Sequence, residues 1–299
     1  MNSNPVASTS LSPIRILGFV LTCALPFVLV WDFIRVFVSL VLENDTFSQI
    51  PLIPLVSLFM IYNNRAMIFT QISRGWGLGA ILIASGATCL VLARLNLWRL
   101  ASMNQLSFFV FGIVLFWVGS FALFFGTQAF RAARFPLIFL VFTIPIPEPF
   151  LSKLILFLQT GSADAAEAIF RLTSVPYLRQ GFDFTLPGVR IRVAEECSGI
   201  RSTLALLITT VLACHLFLRS SWKRLILCLV VVPIAMLKNG LRIFTLSTLA
   251  VYVNPGFLHG NLHKYGGIPF FTIALIPMAV LLIFLQKSDN PRPAMANRA

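Results

Sequence analysis

Charge is scarce in this chain, and negative charge is scarcer still. Only 11% of the 299 residues are Asp, Glu, Lys or Arg, against roughly 25% in a soluble globular domain. That shortage, with 58% hydrophobic residues and a mean hydropathy of +0.89, excludes an ordinary soluble protein and predicts a polytopic membrane protein. The 10 acidic residues are outnumbered by 23 basic ones, for a net charge of +13. The basic residues are dispersed among short inter-helix segments and form no single run, so they report membrane topology and predict no nucleic-acid partner. Cysteine spacing is equally uninviting to metals. None of Cys23, Cys89, Cys197, Cys214 and Cys228 forms a CxxC pair, which argues against a disulfide framework or a zinc site. All but Cys197 lie inside apolar runs and read as packing residues. No metal or cofactor is expected.

Polar linkers, internal repeats and low-complexity tracts are also lacking, so residues 1–299 read as a single integral membrane domain. Within it, 1–13 is a polar N-terminal tail, 148–196 an outer-face segment and 287–299 a cytoplasmic tail. No removable signal peptide is expected, because residues 14–42 are too long for a signal core and read as a first membrane helix.

What the chain does have is long hydrophobic runs. A spanning helix needs about 20 apolar residues. Runs near 16–42, 51–63, 76–94, 106–129, 135–147, 200–218, 225–253 and 267–286 predict an all-α fold of about eight transmembrane helices. Two of the runs are short, and Pro51, Pro54, Pro145, Pro147 and Pro149 suit span ends. Arg65 and Arg74, Arg131 and Arg134, and Arg219, Lys223 and Arg224 fall in three loops on the same side as both termini. That side is expected to be the cytoplasm.

The opposite side holds the one sizeable polar segment, 148–196. It opens with an amphipathic stretch in which Leu151, Leu154, Ile155 and Leu158 alternate with Lys153 and Gln159. Alternation on both sides of Pro187-Gly188, from Arg179 to Val193, predicts a β-hairpin over the outer face. The hairpin delivers the chain to Glu195-Glu196-Cys197-Ser198-Gly199-Ile200-Arg201-Ser202. A thiol at a helix N-terminus with a guanidinium in reach ionises more easily, because both favour the thiolate. Cys197 is therefore a candidate nucleophile.

Two further polar sites resist a hydrophobic account. Lys238-Asn239-Gly240-Leu241-Arg242 interrupts an apolar run, and a charged side chain inside a span costs roughly 2.5–3.5 kcal/mol. Arg242 either snorkels to the outer interface or serves a site; the 244–253 segment beyond it favours the site. The loop 254–266 carries His259 and His263, and histidine can serve as a base to a thiol. Cys197, Arg242 and His263 all approach the same membrane face. Acyl transfer by a thiol asks for that set: a nucleophile, a base, and a cation for the oxyanion. Spacing of four between the two histidines makes zinc a weak rival, with no HExxH glutamate or second cysteine to complete it.

Three segments, in this order, resemble the motifs of the exosortase/archaeosortase family: Ala194 to Ser202, Pro233 to Ile243, and Leu262 to Gly267. The resemblance takes in Phe142 to Pro147 and the hairpin, and so covers most of the chain. It implies an integral membrane cysteine transpeptidase acting on proteins with a short C-terminal sorting signal. In the bacterial branch, to which His263 points, that signal is a Pro-Glu-Pro motif, a hydrophobic helix and a basic tail (PEP-CTERM). The resemblance implies Cys197 as nucleophile, Arg242 as transition-state cation and His263 as base. Arg201 matches another basic position of the cysteine motif, and Ser198 and Asn239 are auxiliary or substrate-binding candidates. Substrate tails, membrane lipid and an envelope acceptor are the implied partners. Relatives often carry a Ser-His pair in the first outer loop, where this chain reads Phe47-Ser48-Gln49-Ile50. Its own Pro147-Glu148-Pro149 precedes an amphipathic stretch and not a terminal span, so it is not read as a sorting signal. Two rival readings stay open: a small-solute or anion transporter using Arg242, and a non-catalytic scaffold for envelope polysaccharide export.

Overall fold

The computed structural model describes residues 12–29, 31–43, 47–70, 75–96, 99, 102–258 and 267–289. The chain is mostly helical and divides into two compact units, residues 1–148 and 149–299.

The first unit contains α1 (Pro13–Leu29), α2 (Trp31–Glu43), α3 (Leu52–Asn63), α4 (Arg65–Ile68), α5 (Trp76–Leu95), α6 (Ser102–Ala132) and α7 (Arg134–Phe139), then a 3-10 turn, Leu140–Thr143. Its centre is an antiparallel α5–α6 pair drawn together by small residues. A Cβ on Gly79 would lie 2.6 Å from the Leu123 nitrogen, and one on Gly86 would lie 2.8 Å from the Gly112 carbonyl oxygen. Lipid tails supply no hydrophobic drive between helices, so close backbone approach of this kind is what packs them. Phe19, Phe69, Phe121 and Phe125 fill the neighbouring space, mostly edge-on or tilted. Ser57 donates a 2.7 Å hydrogen bond to the Pro136 carbonyl, tying α3 to α7.

The second unit holds α8 (Glu148–Leu172, whose first residue marks the boundary), β1 (Leu178–Gln180), β2 (Asp183–Leu186), β3 (Val189–Arg192), a 3-10 turn (Glu195–Ser198), α9 (Ile200–Phe217), α10 (Ser221–Tyr252), a second 3-10 turn (Pro255–Leu258) and α11 (Gly267–Asp289). The expected hairpin is present as β2–β3, with Leu186 opposite Val189 and Gly188 in the left-handed region at φ 76°. A third strand, β1, pairs antiparallel with β2, so the order is β1-β2-β3. The amphipathic stretch is longer than its sequence suggests: α8 runs for 25 residues and buries Leu151, Leu158, Ala163, Ala166 and Phe170. Ala163, Ala166 and Phe170 share one core with Phe184 and Leu186 of β2, Val193 and Ile243 of α10. A second core joins α9, α10 and α11 through Leu206, Leu227, Val231, Ala274 and Met278.

The expected count of eight spans is only partly met. Among the described residues five helices are long and apolar enough to cross a membrane: Trp76–Leu95, Met103–Ala132, Ile200–Phe217, Ser221–Tyr252 and Pro269–Asp289. A sixth follows if Arg134–Thr143 and Glu148–Leu172 form one broken span. The 16–42 run is two helices of 17 and 13 residues, and the 51–63 run gives a helix of 12. Each falls short of the roughly 20 residues needed. In the 135–147 run the helix gives way at Ile144, extended at ψ 120°, because the following Pro145 disfavours helical backbone in the residue before it. Hydropathy counts apolar residues without asking whether one continuous helix joins them.

Candidate functional site

The chain leaves β3 under tight control. Val193 N–H donates to the Phe182 carbonyl at 2.9 Å, and its own carbonyl accepts from the Gln159 side-chain amide at 2.5 Å. Gln159, on α8, is only 6% exposed, so this bond satisfies a buried amide while fixing the segment before the cysteine. Cys197 follows in the 3-10 turn Glu195–Ser198, and Gly199, at φ 76°, turns the chain into α9. The Gly199 carbonyl accepts from the Thr203 N–H at 2.9 Å, the Thr203 hydroxyl at 2.9 Å and the Ser202 hydroxyl at 3.0 Å. Ser198 is buried, and its hydroxyl accepts from the Ile200 N–H at 3.4 Å.

Against this turn lies the middle of α10. Lys238 and Asn239 are buried there. Lys238 Nζ donates to the Ser202 hydroxyl oxygen. The Asn239 side chain packs so close to Gly199 that an added Cβ would lie 3.0 Å from its Cγ. Gly240 faces the other way: a Cβ there would lie 2.6 Å from the Ala165 Cβ, and Gly161 likewise meets Met236. Small residues thus let α8 seat against α10 while Lys238 and Asn239 reach α9. Arg242 is half-buried one helical turn beyond Lys238, hence on the same side of α10. Arg201 is exposed on the first turn of α9. The structure therefore gathers Ser198, Gly199, Ser202, Lys238 and Asn239 around the turn that carries Cys197. The Cys197 side chain, His259 and His263 lie outside the described residues.

Helix length locates the cluster. The 18 residues of α9 rise about 27 Å, close to the roughly 30 Å hydrocarbon thickness of a bilayer. Ser221 to Asn239 along α10 is the same rise. The cluster therefore stands at one end of the span, and the rest of α10 to Tyr252 projects past it onto the sheet, where Ile243 joins Phe170, Phe184 and Val193.

Two flanking networks hold the frame. Arg179 of β1 bridges Asp164 at 2.8 Å and Glu167 at 2.6 Å on α8. Glu167 also accepts from Arg171 at 2.6 Å and from the Tyr177 hydroxyl at 3.1 Å. Burial lowers the pKa of the Arg179 guanidinium, and hydrogen bonds and charge from Asp164 and Glu167 more than reverse it. At the far end of α9, the Asp289 carboxylate accepts from the Arg219 and Ser220 backbone N–H groups and pairs with Lys223 at 2.8 Å. Arg224 donates twice to the Leu218 carbonyl, at 2.9 and 2.6 Å. Among the described residues no group of three His, Cys, Asp or Glu side chains is placed to hold a metal ion.

In the sequence Lys238 stands out only as part of a polar interruption, Gln159 only as a polar member of the amphipathic stretch, and Ser202 only as the last residue of the cysteine motif. An amide set among leucines in 151–159 was the available signal for Gln159. Ser202 carried none, because serine one turn into a helix is ordinary.

Several long apolar helices, two of them meeting where a polar segment of α10 packs on the turn that carries Cys197, define a multi-pass membrane protein. The family is equally definite: the model of the transmembrane exosortases matches residues 41–280, and the chain belongs to that family. Searches of curated proteins and of solved structures returned no match.

Proposed function

We propose that this protein is a membrane cysteine protease and transpeptidase that removes C-terminal sorting signals from exported proteins. The signal is a Pro-Glu-Pro motif followed by a hydrophobic helix and a basic tail, and the protein acts on it at the outer face of the cytoplasmic membrane. The observation that carries the reading is the junction of α9 and α10, where the Cys197 turn meets Lys238 and Asn239 in a chain of the exosortase family.

In this reading Cys197 attacks the scissile carbonyl as a thiolate, forming a thioester and expelling the tail as an amine. His263 takes the thiol proton and returns it to that amine. Arg242, with Arg201 as the neighbouring cation, opposes charge on the tetrahedral oxygen. An envelope acceptor, or water, then releases the protein from the thioester. The whole chain acts as one domain, with both termini on the cytoplasmic side and 148–196 outside.

Co-expression with a tagged protein bearing such a tail tests this. Wild type shortens the substrate, whereas Cys197→Ala, Arg242→Ala and His263→Ala leave it full length. Full processing by Cys197→Ala rejects the mechanism. Loss of solute uptake in Arg242→Ala with Cys197→Ala harmless would instead identify a transporter.

A further inference from the structure

Among the described residues Lys238 is the one charged side chain that is fully buried, at 5% exposure. Burying an ammonium costs several kcal/mol unless its surroundings compensate, and a methionine of similar length would fill the same space without that cost. Its described hydrogen-bond partner is the neutral Ser202 hydroxyl, and no described carboxylate pairs with it. Its position is informative. Lys238 donates to Ser202, Ser202 donates onward to the Gly199 carbonyl, and Gly199 lies two residues after Cys197 in the turn. The relay begins on one span and ends at the backbone that presents the cysteine. Asn239, the next residue, packs on the same glycine.

We propose that Lys238 is a positioning residue for the nucleophile: through Ser202 it holds the Gly199 turn, and its ammonium stabilises the Cys197 thiolate. This rests on Cys197 being the nucleophile. No proton passes through Lys238; the thiol proton leaves to the base, and the lysine supplies a hydrogen bond and, while protonated, a positive charge. The other charged groups on α8, α9, α10 and the turn are Lys223, Arg224 and Arg242 on the same helix, Arg201 on α9, Glu195 and Glu196 in the turn, and Glu148, Lys153, Arg171, Asp164 and Glu167 on α8. The last two are engaged with Arg179. A cation buried away from water is screened less than an exposed one and so acts more strongly on its surroundings.

The test uses the full-length protein in membrane vesicles with Cys23, Cys89, Cys214 and Cys228 replaced by alanine, leaving Cys197 alone. Its alkylation rate by iodoacetamide is followed from pH 5 to 10. The parent midpoint lies below the ordinary thiol value of about 8.5. Lys238→Met, which keeps the stem and drops the charge, raises it by about one unit, and Lys238→Arg restores most of the shift. In substrate processing Lys238→Met lowers kcat about tenfold with KM unchanged, as befits a group that serves the nucleophile and not substrate binding. A folded Lys238→Met with the parent midpoint overturns the proposal. If Lys238→Met does not fold, Ser202→Ala carries the test: it cuts the relay while keeping the charge, and a parent-like alkylation rate and kcat overturn the proposal. An unchanged midpoint beside an inactive Cys197→Ala rejects the role of Lys238 alone. An active Cys197→Ala rejects the enzymatic reading beneath it.

Discussion

Replacing Gly199 with alanine should damage this protein more than the same change at two other left-handed glycines, which provide the controls. Gly199, Gly188 and Gly181 all have left-handed backbone, at φ 76°, 76° and 63°. An L-residue there costs roughly 1–2 kcal/mol because its Cβ crowds the following carbonyl oxygen. At Gly188 and Gly181 nothing lies within 4 Å of an added Cβ, whereas at Gly199 the Asn239 Cγ and Oδ1 lie at 3.0 and 3.1 Å. Forcing a methyl into that contact adds an overpacking cost of about 1–3 kcal/mol. Gly199→Ala should therefore cost about 2–5 kcal/mol, and Gly188→Ala about 1–2 kcal/mol. Unfolding in mixed detergent micelles measures both. Asn239→Ala in the Gly199→Ala background should recover part of the difference, with a coupling of about 1 kcal/mol or more in a double-mutant cycle. Equal destabilisation by Gly199→Ala and Gly188→Ala would refute the reasoning, because it would mean that Asn239 does not confine the turn.

Gly240→Val should separate α8 from α10 by placing carbon against Ala165 and Ala166, costing about 2–3 kcal/mol and abolishing substrate processing; a folded, active variant would contradict the close seam. Arg179→Met should release Asp164 and Glu167, cost about 1–2 kcal/mol for a half-buried pair, and speed amide exchange in 183–192 ahead of that in α9. Ser57→Ala should cost about 1 kcal/mol by leaving the buried Pro136 carbonyl without its donor, read by the same micelle unfolding, with processing unchanged. Asp289→Asn should weaken the cap on the first turn of α10 and the Lys223 pair, seen as a lower Tm at low ionic strength that converges on wild type in high salt.

Local chemistry was legible in the residues themselves. Hydropathy fixes the class of protein, because apolar side chains in long runs can be satisfied only in lipid or a large core. Pro187-Gly188 between alternating residues specifies the hairpin, since the turn and the pleat are set by neighbours a few positions apart. The cysteine before Gly199 marks a helix start for the same reason. Other features depended on partners far apart in the chain. Three apolar runs proved too short or too broken to be single spans, because helix continuity, as at Pro145, is not a matter of hydropathy. Lys238 finds Ser202 across 36 positions, and Gln159 finds Val193 across 34; side chains that distant meet only when helix lengths, glycine seams and the sheet bring their elements together. Hydrophobicity decided that the chain enters a membrane. Packing decided which polar groups gather at the end of the span, because a buried donor must find an acceptor wherever the fold places one.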